Sequence, residues 1–413
     1  MKKIHILGGG TFSHVRTHLA LATPAFGTTA KELALLFGTS PLAKEYQVVL
    51  HLTKMADPES NLVTNDDVAK LVDELVADPE TKMIVFNVAL TDFVGQVGAV
   101  ESGKYAERLH SREAQSTGLN MQLTMAEKIL SRIRKERKDI FLIAFKTTAG
   151  ADKKEQYLAG LNLLKENSCN LVLANDVVTH RNIVIVPEEA YYGDTLCTRR
   201  EVLALLTSVA LMRSNLTYTR STVVPGDGID WNTNPNIPDS LRKVVNHCIQ
   251  KGAYKPFRGA TAGHFAVRTD ENIFITSRRK SNFNELDKVG MIICEAVGED
   301  KIIAYGGKPS VGGQSQRIVF KEHPGYDCIV HFHCPTKVGA KLPRRQQIYF
   351  ECGSHECGKN TSNGLKEVAP GIKVVHLDNH GPNIVFNRNI DPNAVIKYID
   401  ETFELSYKTG GLV

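Results

Sequence analysis

The sequence predicts an α/β protein with two domains. The chain has 413 residues, more than one ordinary hydrophobic core accommodates. Strand and helix patterns alternate through the first half, which is typical of a doubly wound, mainly parallel sheet of the Rossmann-like type. The second half has two neighbouring strand patterns, at 258–268 and 272–279, joined by a short polar turn that indicates an antiparallel pair. We expect domains at 1–215 and 239–413, with a turn-rich linker at 216–238.

The elements follow one another in a regular order. Strands are predicted at 4–7, 46–52, 83–88, 140–145 and 170–174, and helices at 30–37, 66–75, 122–136, 155–166 and 199–213. In the second half, Asp239 is expected to cap a helix at 240–252, and a further helix is expected at 314–322. Because parallel sheets of this kind bind ligands at the carboxyl ends of their strands, those ends hold the candidate residues.

Three predicted strand ends in the first half are rich in small or polar residues. The first ends in Gly8, Gly9, Gly10 and Thr11, and later ends carry 145–150 and 174–177. Glycines let the backbone come close to a phosphate, whose charge the backbone amides can then hold. The full G-x-G-x-x-G spacing is missing, so NAD binding is not predicted. The alternative is that these glycines only end a strand.

A pair of histidines closes a short apolar run at 327–333. If this run is a strand, His331 and His333 lie on the same face, because side chains alternate along a strand. His380 ends a second apolar run, directly before Gly381. Three histidines and one open position are typical of a catalytic zinc site. The alternative is that the pair belongs to the core or the surface without a metal.

The composition argues against several classes of partner. The chain is 42% hydrophobic and 23% charged, and its net charge of +5 comes without a basic run, so no nucleic-acid partner is expected. Apolar segments are too short for a signal peptide or a membrane span. The eight cysteines are scattered, as free thiols of a cytoplasmic protein would be. Cys352 and Cys357 flank His355, which leaves a second metal site as an alternative.

The first half resembles the phosphopantothenoylcysteine synthetase family, the C-terminal type of DNA/pantothenate metabolism flavoproteins. The matching segments are G-G-G-T followed by V-R at 8–16, A-L-T-D-F at 89–93, the strand end at 143–148, and A-N-D-V at 174–177. The resemblance covers about residues 1–215. It implies binding of CTP or another nucleotide, activation of a carboxylate as an acyl-cytidylate, and coupling to cysteine.

The resemblance also assigns residues. Asn175 would contact the acyl intermediate, and Lys165 would neutralise nucleotide phosphate; the implied nucleotide-binding residues are Gly8, Gly9, Gly10, Thr11, Phe145, Lys165, Asn175 and Asp176. The chain departs from the family pattern in three ways. The stretch before V-R is shorter, Thr148 lies near the position of a missing glutamate, and the lysine-rich loop retains only Lys104. A scaffold without chemistry is therefore the alternative for this domain.

The second half resembles the class II aldolase and adducin family. The shared elements are G-x-T-A-G-x-x-x-V-R at 259–268, I-T at 275–276, K-P-S at 308–310, V-H-x-H at 330–333 and H-G at 380–381. The resemblance implies an α/β/α layered domain with a mainly antiparallel sheet. It also places Zn²⁺ on His331, His333 and His380, where the ion would polarise a carbonyl or stabilise an enediolate.

The same resemblance implies a pocket for a substrate anion. Its positions fall on His264, Arg278, Arg279 and Ser310. Arginine forks suit phosphate and carboxylate alike, so a small phosphorylated carbonyl compound is expected as the substrate. The alternative for the two arginines is an exposed strand end.

The proton-transferring acid of the aldolases has no counterpart in this chain. Gly312 stands at the position of the family glutamate, and Gln316 stands where a histidine is usual. Glu356 is the first candidate for a replacement, and Glu351 and His355 are weaker ones. The alternative is that all three are ordinary loop residues.

Together the two resemblances imply a bifunctional enzyme, and since both families are typically oligomeric, a homo-oligomer is expected. One site would be a zinc-dependent lyase, epimerase or dehydratase for a small anionic carbonyl compound, and the other a CTP-type nucleotide site. A CTP-dependent ligase of carboxylate and amine is one alternative. A non-catalytic assembly protein, like the adducins, is the other.

Overall fold

The computed structural model describes residues 1–110, 118–196, 198–299 and 301–408. The chain divides into two compact units. The first contains 1–151, 159–185 and 193–214, and the second contains 152–158, 186–192 and 215–413. The domain boundaries expected from the sequence stay a prediction.

The first unit is built on a mainly parallel sheet. Its strands are β1 (Lys2–Gly10), β2 (Phe12–Arg16), β3 (Leu19–Ala22), β4 (Tyr46–Leu52), β5 (Thr81–Ala89), β6 (Phe93–Val97), β7 (Met121–Met125), β8 (Phe141–Thr148), β9 (Leu171–Asp176) and β10 (Asn182–Ile185). The next strand along the chain, β11 (Tyr191–Tyr192), belongs to the 186–192 segment of the second unit. The order β10-β9-β8-β5-β1-β4 is parallel except for the β10–β9 pair. This confirms the predicted doubly wound α/β class.

Helices connect these strands. They are α1 (Thr28–Thr39), α2 (Asn65–Ala77), α3 (Leu130–Glu136), α4 (Lys153–Asn167) and α5 (Arg199–Arg213). One predicted helix, at 122–136, was wrong in its first half, since Met121–Met125 forms β7 and pairs with β6. Apolar and polar residues alternate at 121–125, and that period of two favours a strand.

The second unit is built on a mainly antiparallel sheet. Its further strands are β12 (Arg220–Val224), β13 (Pro256–Phe257), β14 (Ala260–Thr261), β15 (His264–Arg268), β16 (Ile273–Ser277), β17 (Met291–Ala296), β18 (Lys301–Tyr305), β19 (Cys328–His331), β20 (Arg344–Arg345), β21 (Lys366–Ala369), β22 (Ile372–Leu377) and β23 (Gly381–Phe386). The main sheet has the order β12-β18-β17-β16-β15-β19-β23-β22-β20. Its central pairs are antiparallel, as predicted.

Helices cover both faces of this sheet. They are α6 (Asp239–Gln250), α7 (Leu286–Val289), α8 (Val311–Glu322), α9 (His355–Gly364) and α10 (Pro392–Thr402). Leu241 of α6 and Val395 of α10 pack in one apolar core, and Val319 of α8 packs in another. Neighbouring residues of β19 alternate between the two cores, with Val330 in the first and Ile329 in the second.

Two details of the second unit differ from the sequence-based expectations. Pro238, not Asp239, occupies the N-cap position of α6, and Asp239 is the first helical residue. The segment predicted as a linker contains β12, which pairs with β18, and the buried core residues Trp231 and Ile237. None of the helices in the described ranges is both long and apolar enough to span a membrane.

Candidate metal centre

His331 reaches the centre from the end of β19. The register pairs His331 with His264 of β15 on one side and with Asn383 of β23 on the other. Alternation along the strand puts His331 on the same face as Ile329, which packs in the core that also contains α8 residues. The strand ends at His331, so the predicted run to His333 was too long. His333 nevertheless lies beside His331, with ring centroids 4.9 Å apart.

His380 is supplied by the turn between β22 and β23. Its backbone amide donates to the carbonyl of Leu377, and Asn379 has a φ of 57°. Gly381 follows, and a Cβ atom there would lie only 2.1 Å from the carbonyl oxygen of Phe332. A glycine is therefore required for the turn to pack against the segment that carries His333.

The three predicted metal ligands meet in one buried cluster. The potential ligand atoms of His331, His333 and His380 all lie within 4.8 Å of one another. The Nε2 atoms of His331 and His380 are 3.3 Å apart. Two imidazole nitrogens on a tetrahedral zinc ion, each about 2.0–2.1 Å from it, are about 3.3–3.4 Å apart. The observed spacing therefore fits a shared ion.

The surroundings of His331 favour the form that binds metal. Its Nδ1 atom donates to the carbonyl of Pro382 at 2.7 Å, which leaves the lone pair on Nε2. Burial lowers the pKa of His331 to about 4. The ring is therefore neutral near pH 7, as metal coordination requires.

His264 lies beside the triad, with its ring centroid 4.7 Å from that of His331. Thr276 Oγ1 donates to Gln316 Oε1 at 3.1 Å, so the amide nitrogen of Gln316 donates to Nδ1 of His264. The proton of His264 then resides on Nε2. Burial keeps the pKa of His264 well below its usual value, so this residue offers a neutral N–H donor instead of a positive charge.

The other predicted anion contacts are gathered at the end of β16. Arg278 and Arg279 are exposed there, and the amide of Arg279 donates to the carbonyl of Lys308. Ser310 is buried, and its amide donates to the carbonyl of Ser277. The structure thus joins the I-T and K-P-S segments. Of the four predicted anion residues, only His264 also lines the cavity beside the triad.

The cavity also exposes a residue that sequence reasoning did not connect with the triad. Cys352 lines it together with Cys357, His331 and His380. The Sγ atom of Cys352 lies 3.6 Å from Nε2 of His380. The two cysteines therefore belong to the same cavity as the triad. Among the residues that the structure describes, the triad is the only group of three or more potential metal ligands that lie close together.

The candidate acids do not line this cavity. Glu356 lies in the first turn of α9 and accepts the backbone amide of Thr217 at 3.1 Å. Glu351 accepts the hydroxyl of Tyr218 at 2.8 Å. Both carboxylates hold the 217–218 segment, which is a structural reason for their presence. The role expected of Glu356 in proton transfer therefore gains no support from its position.

The predicted phosphate loop of the first unit is closely packed. A Cβ atom on Gly8 would lie 2.2 Å from Cβ of Ala30, and one on Gly10 would lie 1.9 Å from the carbonyl oxygen of Thr23. The amide of Gly10 donates to Ala25 and that of Thr11 to Ala89. These two amides are therefore engaged within the protein, and the glycines have a packing role of their own.

Asn175 and Asp176 lie at the carboxyl end of β9. Thr147 Oγ1 is 3.3 Å from Oδ1 of Asn175. The carboxylate of Asp176 accepts a hydrogen bond from the hydroxyl of Thr148. It also accepts four from backbone amides, those of Gly150, Ala151, Val178 and Thr179. These bonds hold the pKa of Asp176 well below its usual value. Asp176 therefore fixes the loops after β8 and β9.

Lys165 lies near the start of β9, away from the other predicted nucleotide-binding residues, so its position gives no support to its predicted role. It lies near the end of α4, and the amide of Cys169 donates back to Leu164 just before β9 begins. Asn175 is at the other end of β9, about 17 Å away along a strand that rises about 3.3 Å per residue. The two residues do not converge on one phosphate. Phe145, at the end of β8, is half-buried.

The similarities of this chain to known proteins each cover about half of it or less. No curated protein matches the chain. A DNA/pantothenate metabolism flavoprotein from Streptococcus pneumoniae is 21% identical, with a TM-score of 0.41, over 50% of this chain and 96% of its own. L-fuculose 1-phosphate aldolase is 12% identical, with a TM-score of 0.29, and the similarity covers 40% of this chain and 85% of the aldolase. YgbL from Klebsiella pneumoniae, described as a putative aldolase/epimerase/decarboxylase, is 18% identical, with a TM-score of 0.28. That similarity covers 39% of this chain and 86% of YgbL. The family described as the class II aldolase and adducin N-terminal domain matches residues 245–396, which confirms the resemblance of the second half to that family.

Proposed function

We propose that the second half of the chain is a metal-dependent enzyme of the lyase, epimerase or dehydratase type. Its substrate would be a small anionic carbonyl compound, and Zn²⁺ is the ion that the three imidazoles suit best. The observation that carries this proposal is the buried cluster of His331, His333 and His380, with potential ligand atoms all within 4.8 Å of one another. The family match over 245–396 supports it.

Different groups around the cluster would bind different parts of the substrate. A divalent ion held by the three imidazoles would supply Lewis acidity toward a carbonyl oxygen. Nε2–H of His264 is available as a hydrogen-bond donor to an oxygen of the substrate. If the β15–β16 register continued for two residues beyond the Ala266–Thr276 pair, Arg278 would lie opposite His264. Arg278 would then be about 10 Å from His331 across two strand spacings, within the span of a small phosphorylated molecule.

The reaction is expected to differ from aldolase chemistry in its proton transfer. Gly312 brings no carboxylate to the position where the aldolases have glutamate. Asp and Glu are also missing among the described residues that line the cavity. Retro-aldol cleavage with a carboxylate as the proton carrier is therefore not the reaction we propose. Reactions that exchange their proton through water or an imidazole remain compatible with the site.

Metal analysis is the direct test of this proposal. The purified protein is expected to hold about one equivalent of zinc per chain, measured by inductively coupled plasma mass spectrometry. Chelation should remove the ion and lower the melting temperature, because an ion that binds only the folded state stabilises it, by about 4 kcal/mol at a thousandfold excess over Kd. A metal-free preparation with unchanged stability and full turnover of sugar phosphates would contradict the proposal. A metal-free oligomer would instead support the adducin-like alternative.

A second site is proposed for the first half of the chain. We infer that it binds a nucleotide, with CTP as the first candidate, at the carboxyl ends of β8 and β9. The adjacent side chains of Thr147 and Asn175 carry this proposal, because they form a polar pair at the edge where parallel sheets bind ligands. A cytoplasmic location, a homo-oligomeric state and the ligase alternative stay predictions.

Calorimetric titration tests the nucleotide site. CTP is expected to bind with higher affinity than ATP, and Asn175→Ala is expected to weaken CTP binding at least tenfold while Lys165→Ala leaves it within about twofold. The contrast follows from the positions of the two residues, because Lys165 lies near the end of α4, before β9 begins, and Asn175 lies at the carboxyl end of β9. Equal effects of both substitutions, or no binding of either nucleotide to the unmodified protein, would contradict the site.

A further inference from the structure

Cys352 is held close to the triad by a fixed turn. The residue precedes α9, and its backbone amide donates to Oε1 of Glu188, a buried carboxylate, at 2.7 Å. Gly353 then reverses the chain with a φ of 88°. Ser354 is the N-cap of α9: its hydroxyl donates to the carbonyl of Glu351 and accepts a hydrogen bond from the amide of Cys357 in the first turn. The backbone at Cys352 is therefore fixed by contacts on both sides, while the side chain keeps rotation about its Cα–Cβ bond.

The distances around His380 are those of neighbouring ligands on one ion. Tetrahedral zinc binds sulfur at about 2.3 Å and nitrogen at about 2.0–2.1 Å, which puts sulfur about 3.5–3.6 Å from nitrogen. Sγ of Cys352 is 3.6 Å from Nε2 of His380. The nitrogen–nitrogen distance from His380 to His331 is 3.3 Å, again the tetrahedral value. His380 is thus flanked by two atoms at coordination spacing.

The charge of the cluster also favours a thiolate. Three imidazoles are neutral when they bind metal, and the ion would bring two positive charges into a buried cavity. No carboxylate is present among the described cavity residues, and the family glutamate is replaced by Gly312. Among the described residues that line the cavity, the two cysteines are the ones whose side chains can supply a negative charge. Sulfur and imidazole together are also a usual ligand set for zinc.

We propose that Sγ of Cys352 is the fourth protein ligand of the ion, so that the resting centre has a Cys–His₃ ligand set. This inference rests on the proposed function, because it presupposes that the triad binds a metal. The bond forms between sulfur and the ion, and the S–H proton is released to solvent. The group of mutually close ligand atoms contains only the three imidazoles, so coordination would require the side chain of Cys352 to rotate further toward the triad. Catalytic zinc can expand to five ligands, which leaves room for a substrate atom.

Cobalt substitution of the full chain tests this inference. The Co²⁺-loaded protein is expected to show a sulfur-to-cobalt charge-transfer band in the near ultraviolet. Cys352→Ser should abolish that band while Co²⁺ still binds to the histidines. Cys357→Ser is the matched control, since Cys357 lines the same cavity but contacts Gln347, and it should leave the band unchanged. X-ray absorption of the zinc form should show one sulfur at about 2.3 Å.

The outcomes separate the two proposals. Co²⁺ bound without a charge-transfer band, or a band that survives Cys352→Ser, would overturn the Cys352 assignment and leave the three-histidine site intact. A band lost in Cys357→Ser but kept in Cys352→Ser would assign the sulfur to the other cysteine and likewise overturn it. Failure of the unmodified protein to bind Co²⁺ or Zn²⁺ at all would instead remove the proposed function.

Discussion

Replacing His380 with alanine is expected to lower zinc affinity by more than about 100-fold, since loss of an outer-shell partner alone costs 10–100-fold. His380 is the residue that lies at coordination spacing from both His331 and Cys352. Its removal therefore takes away the ligand that the β22–β23 turn supplies. The affinity is measured by competition with a chromophoric chelator, and turnover should fall with it.

His376→Ala is the control for this substitution. His376 is also buried, lies four residues earlier on β22, and stacks on Phe403 with ring centroids 6.5 Å apart. Its loss should reduce the free energy of unfolding by removing packed volume, yet leave zinc affinity nearly unchanged. If both variants retain zinc equally, or both lose it in proportion to their stability, the triad is not the metal site.

The histidine cluster was predictable because each part of it leaves a local signature. The spacing of two between His331 and His333 indicates one face of an extended segment, and His380 is followed by a glycine. The order of the short motifs in the second half resembles that of the class II aldolase and adducin family, and this resemblance assigned the three histidines to one site. Strand alternation explains the rest, because His264, His331 and Asn383 are register partners on the face of the sheet that α8 covers.

Cys352 was not predictable in the same way. It stands in a loop without periodicity, and it reaches His380 through a turn fixed by Glu188, far away in the sequence. No spacing rule connects these residues. The carboxylates that sequence reasoning favoured, Glu351 and Glu356, lie in the same short segment, but they hold the 217–218 backbone. Only the folded chain distinguishes the thiol from its acidic neighbours.

The first half shows why glycine patterns are ambiguous. Gly8 and Gly10 fit a phosphate loop by sequence, and the structure gives each of them a close neighbour that a side chain would strike. Close packing and anion binding require the same absence of Cβ, so the residue type alone does not separate them. The role predicted for Lys165 stays a prediction, because distance along the sequence does not reveal which end of the strands a helix end reaches.

Gly381→Ala is expected to impair the fold and the metal centre together. The new Cβ atom would lie 2.1 Å from the carbonyl oxygen of Phe332, and real atoms do not come that close. The backbone at Phe332 must move, and His333 and His380 are the neighbours of the two residues in conflict. Overpacking of this kind destabilises a protein by about 1–3 kcal/mol. We expect that loss in urea unfolding of the metal-free protein, together with at least tenfold weaker zinc binding.

Gly325→Ala supplies the comparison, because a Cβ atom at Gly325, which lies in a turn of the same unit, meets no atom within 4 Å. This variant should stay within about 0.5 kcal/mol of the unmodified protein and keep its zinc affinity. The pair separates a general effect of alanine in a turn from the specific contact with Phe332. A Gly381→Ala protein that bound zinc as tightly as the Gly325→Ala protein would show that the approach of the two backbone segments does not position the imidazoles.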